Sequence, residues 1–223
     1  MQAIDIVRLV AAVIAGYLLG GIPFGLIVTR LVGGPDPRTI GSGRLGGANV
    51  SRAVGFRWAT VSGLLDVAKA SVAVLLIRLI GWGYEPQVLA AIATVIGHSR
   101  SPYVGFHGGR GVAPAGGGVL ILAPYVLLVI FPIFIGMILW TRITSVGSLS
   151  ASLAGGIAMI VFTSVMGLPP IFYLYGIAVP GLIWLFHADN IARLRAGEER
   201  HMSFGSKKPK ANGSVGGSKS QPA

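Results

Sequence analysis

Cysteine is missing from this 223-residue chain, so neither disulfides nor thiolate metal sites enter its construction. Carboxylates are nearly as scarce: seven Asp and Glu stand against 18 Lys and Arg, and charged residues make up only 11% of the whole. That is a low charge content for a soluble domain. Asp5, Asp36, Asp66 and Asp189 lie too far apart for a paired-magnesium motif. His98, His107, His187 and His201 lack the H-E-x-x-H spacing of a zinc-binding helix. No metal and no cofactor is expected. The formal charge of +11 would suit nucleic acid, but the cations stand at the ends of apolar stretches or near the end of the chain instead of forming a patch, so no nucleic-acid partner is expected.

What the chain has in quantity is apolar sequence, 53% of its residues. A helix needs about 20 mainly apolar residues to cross a bilayer. The punctuation predicts seven transmembrane helices in an all-α membrane protein: 4–31, 59–81, 86–98, 111–122, 125–141, 146–166 and 170–187. The break at Ala123-Pro124 divides a run too long for one crossing, since proline disfavours helical continuation. The third and fourth helices are short and are expected to tilt, break or stop partway, as protein-walled polar cavities allow. The first run is too long for a cleaved signal peptide and has no basic region ahead of it.

Fifteen of the 18 basic residues fall on one side of this arrangement, with Arg8 and Arg78 opposite and Lys69 inside the second helix. The positive-inside rule then puts the N-terminus outside and the C-terminus in the cytoplasm. Residues 1–202 form the predicted membrane domain, and 203–223, rich in Gly, Ser, Lys and Pro, a basic disordered tail.

Three polar segments interrupt the apolar sequence, all on the cytoplasmic side: IGSGRLGGANVSR at 40–52, GHSRSPYVGFHGGRGV at 97–112 and HADNIARLRAGEE at 187–199. In the first, glycines around Ser42, Gly43 and Arg44 can turn successive amides toward one anion, and a short helix from Ala48 sets Asn49 and Arg52 on one face. A flexible loop with topological arginines fits the same residues. In the second, Gly109-Arg110-Gly111 precede a helix, and the guanidinium can hold an oxyanion bidentately. His98 either donates to the ligand or caps its helix. In the third, His187 and Asn190 share a face, or satisfy a helix end.

Asp66 and Lys69 stand three residues apart, with Asp66 roughly 12 Å deep at ~1.5 Å per residue. They are predicted to pair, contacting the ligand or locking helices together. Ser145 and Ser148 follow in the turn before the sixth helix, as donors or as caps. Together these groups make a cationic, donor-rich, carboxylate-poor site suited to a phosphate. A transporter or channel for an organic phosphate anion fits intramembrane charges and broken helices too, although no internal repeat is visible.

In order and spacing, these segments resemble the bacterial membrane glycerol-3-phosphate acyltransferases that use acyl phosphate as donor, from GGIPFG at 20–25 to GEE at 197–199. The resemblance implies seven transmembrane helices and transfer of a fatty acyl group from acyl phosphate to the sn-1 hydroxyl of glycerol 3-phosphate. The product is lysophosphatidate, and the enzyme is a monomer among membrane lipids. Ser42 and Arg52 match the phosphate-binding serine and arginine of the first family motif, Arg110 stands at the lysine of GGKG, and His187, Asn190 and Ser148 match the histidine, asparagine and later serine. Ser42, His187 and Asn190 are the implied catalytic residues. The phosphate site adds Gly43, Arg52, Gly109, Arg110, Gly111 and Ser148, supported by Asn49, Asp66, Lys69, His98 and Ser145. The chain departs from the family pattern at Arg44 (usually Asn), Gly47 and Ala48 (Ala and Thr), Arg110 (Lys) and Pro114 (Thr), changes that would also suit a divergent relative acylating another phospho-alcohol.

Overall fold

The computed structural model describes residues 3–202, which are helical nearly throughout; the tail at 203–223 lies outside the described residues. The helices are α1 Ala3–Gly21, α2 Phe24–Leu31, α3 Gly47–Val54, α4 Phe56–Leu79, α5 Tyr84–Ser99, α6 Val112–Leu122, α7 Leu127–Thr141, α8 Thr144–Met166, α9 Ile171–Phe186 and α10 Ala188–Arg195. Proline explains two boundaries. Pro23, with no amide hydrogen, separates α1 from α2, and Pro124 opens a single 3-10 turn between α6 and α7.

Four stretches are long and apolar enough to cross a membrane: Ile4–Leu31, Phe56–Leu79, Pro124–Thr141 and Thr144–Met166. A fifth is counted if α9 and α10, bent by 62°, form one broken span. The two expected helices outside this count are α5 and α6, whose 16 and 11 residues span only about 24 and 16 Å at ~1.5 Å per residue.

These short helices are placed where length matters least. α5 is the central post of the bundle, packed by α1, α4, α6 and α9, and Val88, Ala90, Ala91 and Val95 have no exposed surface. Close approach by α1 requires Gly16, because a Cβ there would collide with the Ala90 carbonyl oxygen. The outer helices reverse the soluble pattern: Leu79, Leu128, Trp140 and Val165 are all more than 70% exposed, as suits a surface bathed in hydrocarbon. Phe172, Met159, Ile183 and Val119 fill the interior between α5, α6, α8 and α9.

Candidate active site

The three polar segments meet at one end of a cavity of about 630 Å³. Asn49, fully buried at the start of α3, ties the first segment into shape. Its Nδ2 donates to the carbonyls of Ile40 (2.9 Å) and Arg44 (3.0 Å), and its Oδ1 accepts from Arg52 Nη1 at 2.8 Å. The glycine loop is therefore ordered by a side chain seven residues ahead, and Arg52 is aimed by the same amide. Burial, then the nearby Arg200 and Arg193, hold the Arg52 guanidinium below its ordinary pKa despite Glu199. A cation among like charges gains from an incoming anion.

The second segment is pinned to the first by Leu45 N donating to the Gly108 carbonyl. The Gly108 and Gly109 amides donate back to Ser99 and His98 at the end of α5. Gly109 has to lack a side chain because a Cβ would strike His98 Nε2. This corrects the expectation of an open amide nest. Gly43, Gly109, Gly111 and Lys69 do not line the cavity, and the Gly43 and Gly109 amides are already bonded within the backbone. What the second loop offers the cavity is Arg110 itself and the first turn of α6.

Beneath the loop lies a buried charge cluster. Lys69 Nζ stands 2.6 Å from Asp66 Oδ1, 3.1 Å from His98 Nδ1 and 2.7 Å from the Ile22 carbonyl oxygen at the Pro23 break. Asp66 Oδ1 is also 3.4 Å from His98 Nδ1. His98 thus joins the Asp66–Lys69 pair instead of capping α5, and the cluster fixes α1, α4 and α5 below the GGRG loop.

The third segment is not one continuous helix. The chain bends at His187, and the bend turns both His187 and Asn190 into the cavity with 2% and 3% exposure. His187 Nδ1 lies 2.7 Å from the Ile183 carbonyl oxygen. A carbonyl can only accept, so Nδ1 carries the hydrogen, and neutral His187 keeps Nε2 as a proton acceptor. Asn190 Nδ2 donates to Glu199 at 2.9 Å, while its buried Oδ1 has no partner among the described residues, as is true of Ser145 Oγ. Ser145 and Ser148 both line the cavity, and neither caps α8: Ser148 Oγ donates to the Thr144 carbonyl at 2.9 Å.

Carboxylates come nearer than the sequence suggests. Arg110 Nη2 pairs with Asp189 at 2.8 Å; Arg193 spans Asp189 at 3.2 Å and Glu199 at 2.9 Å. Burial works against the charged Asp189, but Arg110 and Arg193 outweigh it and hold its pKa below the ordinary carboxylate value. Glu199 and Arg200 belong to a strap that folds back after Gly197, with Arg200 Nη2 donating to the Gly41 carbonyl and Met202 N to that of Arg142. The sequence alone assigns Arg200 to membrane topology, and no periodicity marks the strap. Arg44, Arg52, Arg110, Arg193 and Arg200 all line the cavity, so cations still predominate. Among the described residues no three His, Asp or Glu side chains converge as metal ligands.

Away from this mouth the cavity becomes an apolar groove. It runs between α4 and α6 on one side and α7, α8 and α9 on the other. α4 packs on α6 while α7 packs on α8, and the lining residues on the two facing edges stay open to the outside. Phe56 and Leu64 on α4, with Phe131, Ile135 and Leu139 on α7, line the groove and are 47–71% exposed. These two rims frame a lateral opening toward the bilayer.

The family model described as glycerol-3-phosphate acyltransferase matches residues 10–197. A glycerol-3-phosphate acyltransferase of Anaeromyxobacter sp. (strain K) is 42% identical over 198 residues, covering 84% of this chain and 94% of its own. One from Thermus thermophilus is 38% identical over 190 residues, covering 83% and 91%. Two crystal structures of PlsY (YgiH), an integral membrane glycerol 3-phosphate acyltransferase, superpose on 87% of this chain and 95% of theirs. The glycerol 3-phosphate form gives a TM-score of 0.79 at 33% identity, and the lysophosphatidic acid form 0.77 at 32%.

Proposed function

The chain belongs to the glycerol-3-phosphate acyltransferase family, and on that premise we propose how its cavity carries out the transfer. It is a multi-pass membrane enzyme that moves a fatty acyl group from acyl phosphate to the sn-1 hydroxyl of glycerol 3-phosphate. The PlsY structures, in glycerol 3-phosphate and lysophosphatidic acid forms, supply acceptor and product by analogy. One observation carries the reading. A single cavity joins a mouth of arginines and buried hydrogen-bonding groups to an apolar groove open at the side. A water-soluble phosphate acceptor and a donor with a fatty tail need those two surroundings side by side.

Arg52 and Arg110 hold the substrate phosphates, with Ser42 and Ser145 as neutral donors and Ser148 joining them when its hydroxyl turns from the Thr144 carbonyl to the phosphate. Arg110 trades its contact with Asp189 for phosphate, and Arg193 keeps the released carboxylate paired. The acyl chain lies in the groove, which it enters through the lateral opening. The sn-1 hydroxyl oxygen attacks the acyl carbon, the carbon–oxygen bond to phosphate breaks, and the hydroxyl proton passes to His187 Nε2. Inorganic phosphate and lysophosphatidate leave. Asn190, held by Glu199, orients the acceptor. The acyl phosphate is already activated, so no acyl-enzyme is required; holding the two substrates in line can supply ~7–11 kcal/mol of the barrier.

The same reading sets the chain in a bacterial inner membrane with seven crossings, α5 and α6 being short ones surrounded by protein. The start of α1 lies outside and α10 in the cytoplasm, supported by the one-sided distribution of arginine and lysine and by the supply of soluble acceptor to the mouth. Residues 1–202 form the catalytic unit, and 203–223 a basic tail. Every group assigned comes from one chain, so a monomer suffices. The test is an assay of purified protein in detergent with acyl phosphate and radiolabelled glycerol 3-phosphate. Lysophosphatidate should form with the wild type and far more slowly with Ser42→Ala and Arg110→Ala; a wild type that forms none would overturn the assignment.

A further inference from the structure

Tyr175 stands at the far end of the apolar groove, with Val119 and Leu127 also lining it there. On α9 the lining residues run from His187 through Ile183, Pro180 and Val179 to Tyr175, and stop. Tyr175 is 2% exposed and crosses from α9 to α6, where its hydroxyl donates to the Ala115 carbonyl at 2.8 Å. α6 accommodates it with Gly118, where a Cβ would stand 2.7 Å from the Tyr175 oxygen. On α8 the lining ends at the same depth, at Gly156, beyond which Met159 is packed into the core. The end of the groove is thus a pinned aromatic ring backed by packed interior.

Farther up, two of the glycines in the groove wall face open space. Gly63 on α4 and Gly116 on α6 both line it, and a Cβ at either would meet nothing within 4 Å. Their absent side chains leave width where other wall positions are filled.

We propose that Tyr175 is the end stop that sets the longest acyl chain held inside the enzyme, and that Gly63 and Gly116 keep the groove wide enough to reach it. This rests on the acyl chain occupying the groove, as argued above. Tyr175 is twelve positions from His187, about 18 Å at ~1.5 Å per residue. With carbon–carbon bonds of about 1.5 Å, an extended alkyl chain advances roughly 1.25 Å per carbon, so about fourteen carbons fit between the reacting carbonyl and the ring. Longer chains must fold or leave through the lateral opening, and their additional methylenes add less to binding.

The experiment measures kcat and KM for saturated acyl phosphates of increasing length, with the full-length protein in detergent. Each methylene that gains or loses a place in the groove changes affinity about fourfold. Wild type should gain in kcat/KM with length up to about fourteen carbons and then level off. Tyr175→Ala should move that plateau to longer donors, and Tyr175→Phe, which keeps the ring, should leave it in place. Gly116→Leu should raise KM for long donors at least tenfold while the shortest is used as before; if Tyr175→Ala does not fold, this variant decides. A Gly116→Leu enzyme that loses all lengths equally overturns the length stop while leaving the groove as the acyl site. A Gly116→Leu enzyme unchanged for every length shows that the chain binds elsewhere, and the groove assignment falls with the proposal.

Discussion

At the mouth of the cavity, geometry is set by individual polar contacts: Asn49 gathers the glycine loop, Asp189 and Glu199 hold Arg110 and Arg193, and the Ile183 carbonyl selects the His187 tautomer. Away from the mouth, the same cavity is shaped by what is absent, through glycines on α4, α6 and α8 and two helix edges that do not close. The mouth works by directional bonds, each worth a large factor when removed. The groove works by area, in which single residues matter little and lengths add up. A variant at the mouth should therefore penalise every acyl donor alike, and one in the groove should discriminate among them.

His187→Ala gives the largest expected loss. Removing a positioned base costs typically about 10²–10⁴-fold, and here the effect should appear in kcat for donors of every length. Equal rates in the variant and the wild type would leave the proton to the phosphate leaving group. Arg110→Ala follows. Loss of a charged donor at a site of developing negative charge costs about 10²–10³-fold, again independent of the acyl chain.

Below the mouth, Asp66→Asn tests support and not chemistry. It leaves the Lys69 ammonium among buried groups without its carboxylate, and breaking one side of a buried pair costs about 3–5 kcal/mol. Thermal unfolding in detergent should fall accordingly, with much of the loss recovered in Asp66→Asn/Lys69→Met. A double variant no more stable than the single one would show that the cluster does more than neutralise itself.

These contrasts follow how much can be read from the chain. Helices are legible because apolar runs, Pro124 and the glycine turns have local causes: the expected first helix is split in two at Pro23, and the others have counterparts with ends shifted by a few residues. The pairing of Asp66 with Lys69 is legible for the same reason, three residues on one helix. The entry of His98 into that pair is not, since it depends on α4 and α5 packing side by side. Glycine content suggests amide nests at Gly43 and Gly109, yet the structure commits those amides to the backbone, because loops this close need internal bonds first. The bend at His187 and the return of Glu199 and Arg200 have no sequence period to announce them. The groove rims on α4 and α7 are invisible in the sequence because lipid-facing and ligand-facing leucines and phenylalanines are the same residues.

In the groove, Ile135→Asn places an amide on the lateral rim. The residue is 47% exposed and lines the cavity, so the change disturbs the acyl path without opening the core. An expected cost of about 1–2 kcal/mol for the polar group against hydrocarbon corresponds to a rise of roughly tenfold in KM for long donors. Short donors should be nearly unaffected and kcat preserved. Identical losses for short and long donors would mean that this rim is no part of the acyl path.

The smallest expected effect is that of Arg110→Lys, which changes shape while keeping charge. Arginine presents a planar fork, lysine a compact point charge, and the two are not interchangeable where both arms are used. Among the described residues Nη2 of Arg110 finds an acceptor, Asp189 at 2.8 Å, while the buried Nε finds none. A lysine can replace a single arm, and the mouth keeps Arg44, Arg52, Arg193 and Arg200 as further cations. Activity should therefore fall less than about tenfold, within the ~1.4 kcal/mol of one lost neutral-strength hydrogen bond, and equally for all donors. A loss as deep as that of Arg110→Ala would instead show that substrate draws Nε and Nη2 together onto one phosphate. The partnerless Nε would then be a donor waiting for its ligand, and the fork geometry a requirement of this chain's own mouth.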